Sequence, residues 1–165
     1  MSLIVVDVVG ALHVRHVPVT AETIRAEVGD WDIVRLDEPG NVLCGFVSDT
    51  GLIDGVTPRN LVGSLMLMSC GGPRQPFAGP VVITGWDPSP SDESEIRPLT
   101  PVIADHLQMM HRCITQTLAG DHTCRSCTPR WRAALAEAAE MVRTAPTPGI
   151  QIFTPTADGW AEVPQ

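Results

Sequence analysis

Residues 87–99 read DPSPSDESEIRPL, and this stretch divides the chain into two halves of different character. Pro88, Pro90 and Pro98 stand beside the acids Asp87, Asp92, Glu93 and Glu95, the composition of a solvated linker. Before it, short apolar runs are broken every few residues by turn residues, the pattern of strands. After it, apolar residues recur at helical spacing. Strands first and helices second predict an α+β protein. The expected division is an α+β domain over residues 1–86, built on a small, mostly antiparallel β-sheet with one short helix. An acidic, proline-rich linker then covers 87–99, a C-terminal helical hairpin 100–145 and a tail 146–165.

In the first half, Leu3 to Val9 is an apolar run suited to a buried strand, and Gly10 breaks it. Residues 11–18 pair with it as a hairpin. Thr20 is placed to cap a short helix over 21–28, with Ile24 and Val28 on one face and Gly29 as its stop. Trp31 to Leu36 forms a third strand ending in the turn Asp37-Glu38-Pro39-Gly40. Val42 to Val47 forms a fourth. Residues 59–68, with the run Asn60-Leu61-Val62-Gly63-Ser64-Leu65-Met66-Leu67-Met68, fit a helix or a buried strand equally, because periodicity cannot separate the two at this length. Val81 to Thr84 is a strand bounded by Gly79-Pro80 and Gly85.

The second half is more regular. Thr100 precedes Pro101, a cap followed by the one residue that tolerates the first helical position without loss. Ile103, Leu107, Met110, Ile114 and Leu118 then form a stripe that Gly120 ends. Thr128-Pro129 repeats the same start, with Trp131, Leu135, Ala138 and Val142 as the second stripe. Pro146 and Pro148 stop that helix. Ile150 to Phe153 reads as an added edge strand.

Composition bounds the functions. The chain has 165 residues, 44% of them hydrophobic and 18% charged, with a net charge of −8. That is enough apolar material for a core and excludes a charged disordered chain. All eleven basic residues are arginine. The acidic balance opposes a nucleic-acid-binding surface, although Arg125, Arg130 and Arg132 cluster at one helix start. The N-terminus lacks a basic segment, and Asp7 interrupts its apolar run, unlike a secretory signal. No stretch approaches the roughly 18 uninterrupted apolar residues of a membrane span. A cytoplasmic chain is expected, and its five cysteines then read as free thiols or metal ligands. Four tryptophans and scattered apolar residues are compatible with a homodimer without requiring one.

Six of the five histidines and five cysteines taken together fall between positions 106 and 127. Cys124-Arg125-Ser126-Cys127 is a C-x-x-C at a helix start. This spacing lets two thiolates meet one ion, and the helix dipole favours their charge. A tetrahedral zinc site needs two more ligands. The expected set is Cys113, His122, Cys124 and Cys127, with His106 and His111 as substitutes. Packing explains a lone cysteine such as Cys113 equally well. A thioredoxin-like motif would follow a strand, whereas this one joins two helices. No glutamate stands two residues after a histidine here, against a zinc deaminase. Asp49-Thr50-Gly51 contains the aspartic-protease tripeptide, which needs a second copy to share a proton; turn formation accounts for it alone. Phosphate-loop, dinucleotide and nucleophile-elbow patterns do not occur.

Several positions in the first half form a wider pattern. Val28-Gly29 ends a short helix, Trp31 to Leu36 is an aromatic-containing strand, and Asp49 to Gly51 is an acid-x-Gly turn. Pro58 to Asn60 follows, and Gly79 to Gly85 closes a strand between glycines. With these motifs residues 1–86 resemble a small family of uncharacterised domains common in phages, plasmids and actinobacterial genomes. The resemblance implies an accessory protein of a mobile element acting on host machinery, with no catalytic residues carried over. The expected function is non-enzymatic binding of a host protein or small ligand. The alternative is a metal-dependent enzyme using the Cys/His cluster, with Asp105 or Asp121 as the local carboxylate.

Overall fold

The computed structural model describes residues 1–36, 42–87 and 95–146, together with the backbone of two strands at 153–156 and 159–162. The turn expected at 37–40, most of the proline-rich stretch (88–94) and residues 150–152 lie outside the described residues.

The protein is α+β. Strands β1 (Leu3–Val6), β2 (Leu12–Arg15), β3 (Trp31–Arg35), β4 (Leu43–Ser48) and β5 (Val81–Asp87) line up in the order β2-β1-β5-β4-β3. A sixth strand, β6 (Glu95–Arg97), pairs with the far end of β5. Every pairing is antiparallel. Alternate residues point to opposite faces, so each strand serves two cores. Leu3, Val5, Cys44, Phe46 and Val82 meet Ile24 and Val28 of helix α1 (Ala21–Val28) on one face. Ile4, Val6, Val34, Val47, Val81 and Ile83 meet helix α2 (Leu61–Ser69) on the other.

Helix α1 occupies the residues its sequence signals indicate. Thr20 accepts a hydrogen bond from the Thr23 amide, and the Thr23 hydroxyl accepts one from the Thr20 amide, a reciprocal cap. Helix α2 resolves the ambiguity of residues 59–68. Val62 to Leu67 are all buried because this helix has the sheet on one side and helices α3 (Pro101–Leu118) and α4 (Pro129–Thr144) on the other. Gly45 permits its close approach: a Cβ there would lie 2.6 Å from Leu67 Cδ2.

Four differences from the sequence expectations have physical causes. The first strand ends at Val6, because Asp7 folds its carboxylate onto the amides of Val9 and Ala11 to make the turn into β2. β5 runs through Gly85 to Asp87, because β6 returns to pair with Gly85 through Asp87. Residues 95–97 are therefore sheet, and Leu99 is buried, within the stretch expected to be a linker. The expected tail contains its own hairpin, β7 (Phe153–Thr156) with β8 (Gly159–Glu162), in a separate two-stranded sheet.

The β1–β2 turn also yields a pH prediction. His13 Nε2 lies 2.9 Å from Asp7 Oδ2. That hydrogen bond, aided by the Ala11 and Val9 amides against a cost of burial, holds the Asp7 carboxyl below its ordinary value of 3.8. The folded value lies below the unfolded one, so the stabilisation is present above pH 3.8 and lost as pH falls through the folded value. Asp7→Asn is expected to cost under about 1 kcal/mol at neutral pH and to flatten the acid limb of stability against pH. Denaturant titrations of both proteins across the acid range check this; parallel acid limbs would refute it.

Candidate metal centre

The hairpin is built by local rules. Thr100 caps α3 through the Ile103 amide, with Pro101 at the first position. At the other end, Gly120 adopts φ 77°. Its amide bonds to Thr117 O at 3.1 Å and the Asp121 amide to Gln116 O at 2.9 Å. These two bonds form the Schellman motif, which a left-handed glycine completes without a Cβ penalty. The chain thereby reverses. The Asp121 carboxylate accepts from the Thr123 amide at 2.9 Å, and the Cys127 amide reaches Cys124 O at 3.3 Å. Thr128 then caps α4 through the Trp131 amide.

Arg132, in the first turns of α4, braces this loop. Its guanidinium donates to His122 O at 2.9 Å and to Cys124 O at 2.8 Å. Of the three clustered arginines, this one serves the loop from within, while Arg125 and Arg130 are exposed.

The outcome is a set of three thiols. Cys113 Sγ lies 3.3 Å from Cys124 Sγ, and Cys127 Sγ lies 3.0 Å from it. All three lie within 4.8 Å of one another, the one such group of ligand-type side chains among the described residues. Cys127 is buried, and Cys113 and Cys124 are half-buried. Burial, and then hydrogen bonding to Cys124 and Cys127, pushes the Cys113 thiol up to about 12. Burial also raises Cys127. Hydrogen bonds from Cys127 and then Cys113, with the backbone amides of Ser126 and Cys127, lower Cys124 to about 7. One thiolate is thus shared by three sulfurs at the start of a helix, where its charge is favoured. A soft cation can take the place of the remaining protons, and thiolate ligands suit zinc or Cu(I).

The histidines do not join the thiols in this structure. His122 is exposed, and its carbonyl, not its ring, is used by Arg132. His111 turns to the sheet, with Nε2 2.7 Å from Gly10 O. His106 is exposed earlier on α3. Cys44 and Cys70 are buried in the two cores, away from the group. No carboxylate belongs to the group among the described residues. No family model, curated protein or solved structure matches this chain. No described helix is long and apolar enough to cross a membrane.

Proposed function

We propose that this chain is a non-enzymatic binding protein whose C-terminal hairpin is fastened by zinc. The observation that carries the reading is the meeting of Cys113, Cys124 and Cys127 within 4.8 Å across the α3–α4 turn. Three cysteine sulfurs, one from α3 and two from the loop just before α4, form a soft donor set. A metal there ties the C-terminal part of α3 to the start of α4, adding to the Schellman turn and the Arg132 bonds that already fold the loop back. His122, in the same loop and two residues before Cys124, is the side chain we assign to complete a tetrahedral shell. The host protein or small ligand implied by the mobile-element resemblance of residues 1–86 is the partner such a module would engage.

A second reading follows from the count of three. Catalytic zinc sites keep three protein ligands and one open position. A metal-dependent enzyme would also need a nearby carboxylate. Asp121 is committed to the Thr123 amide, and Asp105 stands two helical turns before Cys113. The donor set therefore favours a closed structural site.

Native and denaturing mass spectrometry of untagged protein tests the proposal. One zinc per chain is expected, lost in Cys124→Ser and held at least tenfold more weakly in His122→Ala. Absence of metal, with either three free thiols or a two-hydrogen mass deficit from a disulfide, would overturn it. Full zinc affinity in His122→Ala, with a visible spectrum of the cobalt-substituted protein showing bound solvent, would favour the enzyme.

A further inference from the structure

The two edges of the six-stranded sheet differ. β2, at one end, has α3 packed against it. β3, at the other, pairs with β4 alone among the described residues, so its outer amides and carbonyls remain open to a further strand. Beside this open edge, on the α2 face, lies a groove of about 660 Å³. Its floor is Val34, Val47 and Phe77, all buried. The loop after β4, which carries the Asp49-Thr50-Gly51 turn, forms one wall. Ile53 on the wall is 49% exposed, a large apolar side chain left at the mouth. A groove of this size is in the range that holds a ligand.

We infer that β3 and this groove form a docking site for an extended, basic peptide segment of a partner protein, which adds as a further strand. Main-chain bonds along β3 would supply affinity, and alternate side chains would enter the groove. The charge of the rim selects the partner. Asp32 and Asp49 line the groove, and neither has an ion-pair partner among the described residues. Asp32 and Val34 point to the same face of the strand. The fitting segment therefore carries arginine or lysine beside Asp32 and an apolar residue beside Val34.

This inference rests on the reading of the chain as a binding protein, but not on its metal: none of the three cysteines lines the groove, so either can fail alone. The test titrates the full chain with a synthetic eight-residue arginine–valine peptide, Thr-Arg-Thr-Val-Thr-Arg-Thr-Val, which sets arginine and valine two apart on one face of the added strand. Saturable one-to-one binding is expected, with amide shifts centred on Trp31–Arg35 in NMR spectra. The D32N/D49N variant is expected to bind at least tenfold more weakly. A glutamate–valine peptide and an arginine–valine peptide N-methylated at alternate amides should each lose at least tenfold. No binding of the arginine–valine peptide would overturn the assignment. So would equal binding of the acidic peptide, or undiminished binding after N-methylation, which shows mere charge attraction. Self-association that protects the β3 amides without peptide would also overturn it, in favour of a second copy.

Discussion

Asn60→Ala is expected to destabilise the fold by about 3–5 kcal/mol and to lower its unfolding temperature by about 10 °C. Asn60 is fully buried. Its Oδ1 accepts from the Gly63 amide at 2.8 Å and so caps α2. Its Nδ2 donates to Val6 O at 2.9 Å and to Gly79 O at 3.0 Å. Its backbone amide bonds to Phe77 O at 2.8 Å. One side chain therefore joins the end of β1, the start of α2 and the approach to β5. Loss of a helix cap costs about 1 kcal/mol. The two carbonyls, stripped of their donor out of reach of water, cost about 1–3 kcal/mol each at most. Asn60→Asp separates the contributions. It keeps the cap acceptor but turns a carboxylate toward two carbonyls, so it is expected to be at least as destabilised as the alanine variant. Chemical denaturation measures both. An aspartate variant as stable as the parent would show that the Nδ2 bonds contribute nothing.

Leu107→Ala is expected to cost about 2–5 kcal/mol and to shift one unfolding transition of the whole chain. Leu107 lies on α3 and is 1% exposed. With Ile114, Leu135 and Ala139 it belongs to the same buried cluster as Ile4, Val6, Val81 and Ile83 of the sheet. Helix α2 stands between and contributes Leu65, Met66 and Leu67. Arg59 adds a polar link, its guanidinium donating to Val142 O at 2.7 Å and to Ala145 O at the end of α4. A cavity at Leu107 should therefore be felt at both ends of the chain. The check is thermal unfolding followed by near-ultraviolet signals and by hydrogen exchange of β1 and α3 amides. Loss of α3 protection with β1 protection intact would show instead that the hairpin unfolds on its own.

Shared burial of this kind is what residue spacing does not display. The break at 87–99 does mark where strands give way to the helical pair, but β6 and Leu99 return from it into the sheet and core. Residue spacing likewise does not display the groove beside β3. Its rim was visible only as a turn tripeptide, and its floor comes from Val34, Val47 and Phe77, which lie on three separate segments.

The helix ends are decided within one turn of chain. Thr20, Thr100 and Thr128 cap helices where the structure has them, and Pro101, Pro129 and Gly120 set starts and a stop. Hydrogen bonds spanning a few residues suffice for these, and so does the C-x-x-C that brings Cys124 to Cys127. The tertiary structure decided the rest. Residues 61–69 are helical because they fill a gap between a sheet and two helices, a fact absent from their own aperiodic, mostly apolar run. β5 continues through Gly85 because a later strand returns to it. Cys113 joins the other two thiols, while His111 turns to Gly10, because the Schellman turn and Arg132 fold the loop back onto one flank of α3. Each of these outcomes depends on partners far apart along the chain, whose meeting is selected by the burial of the whole.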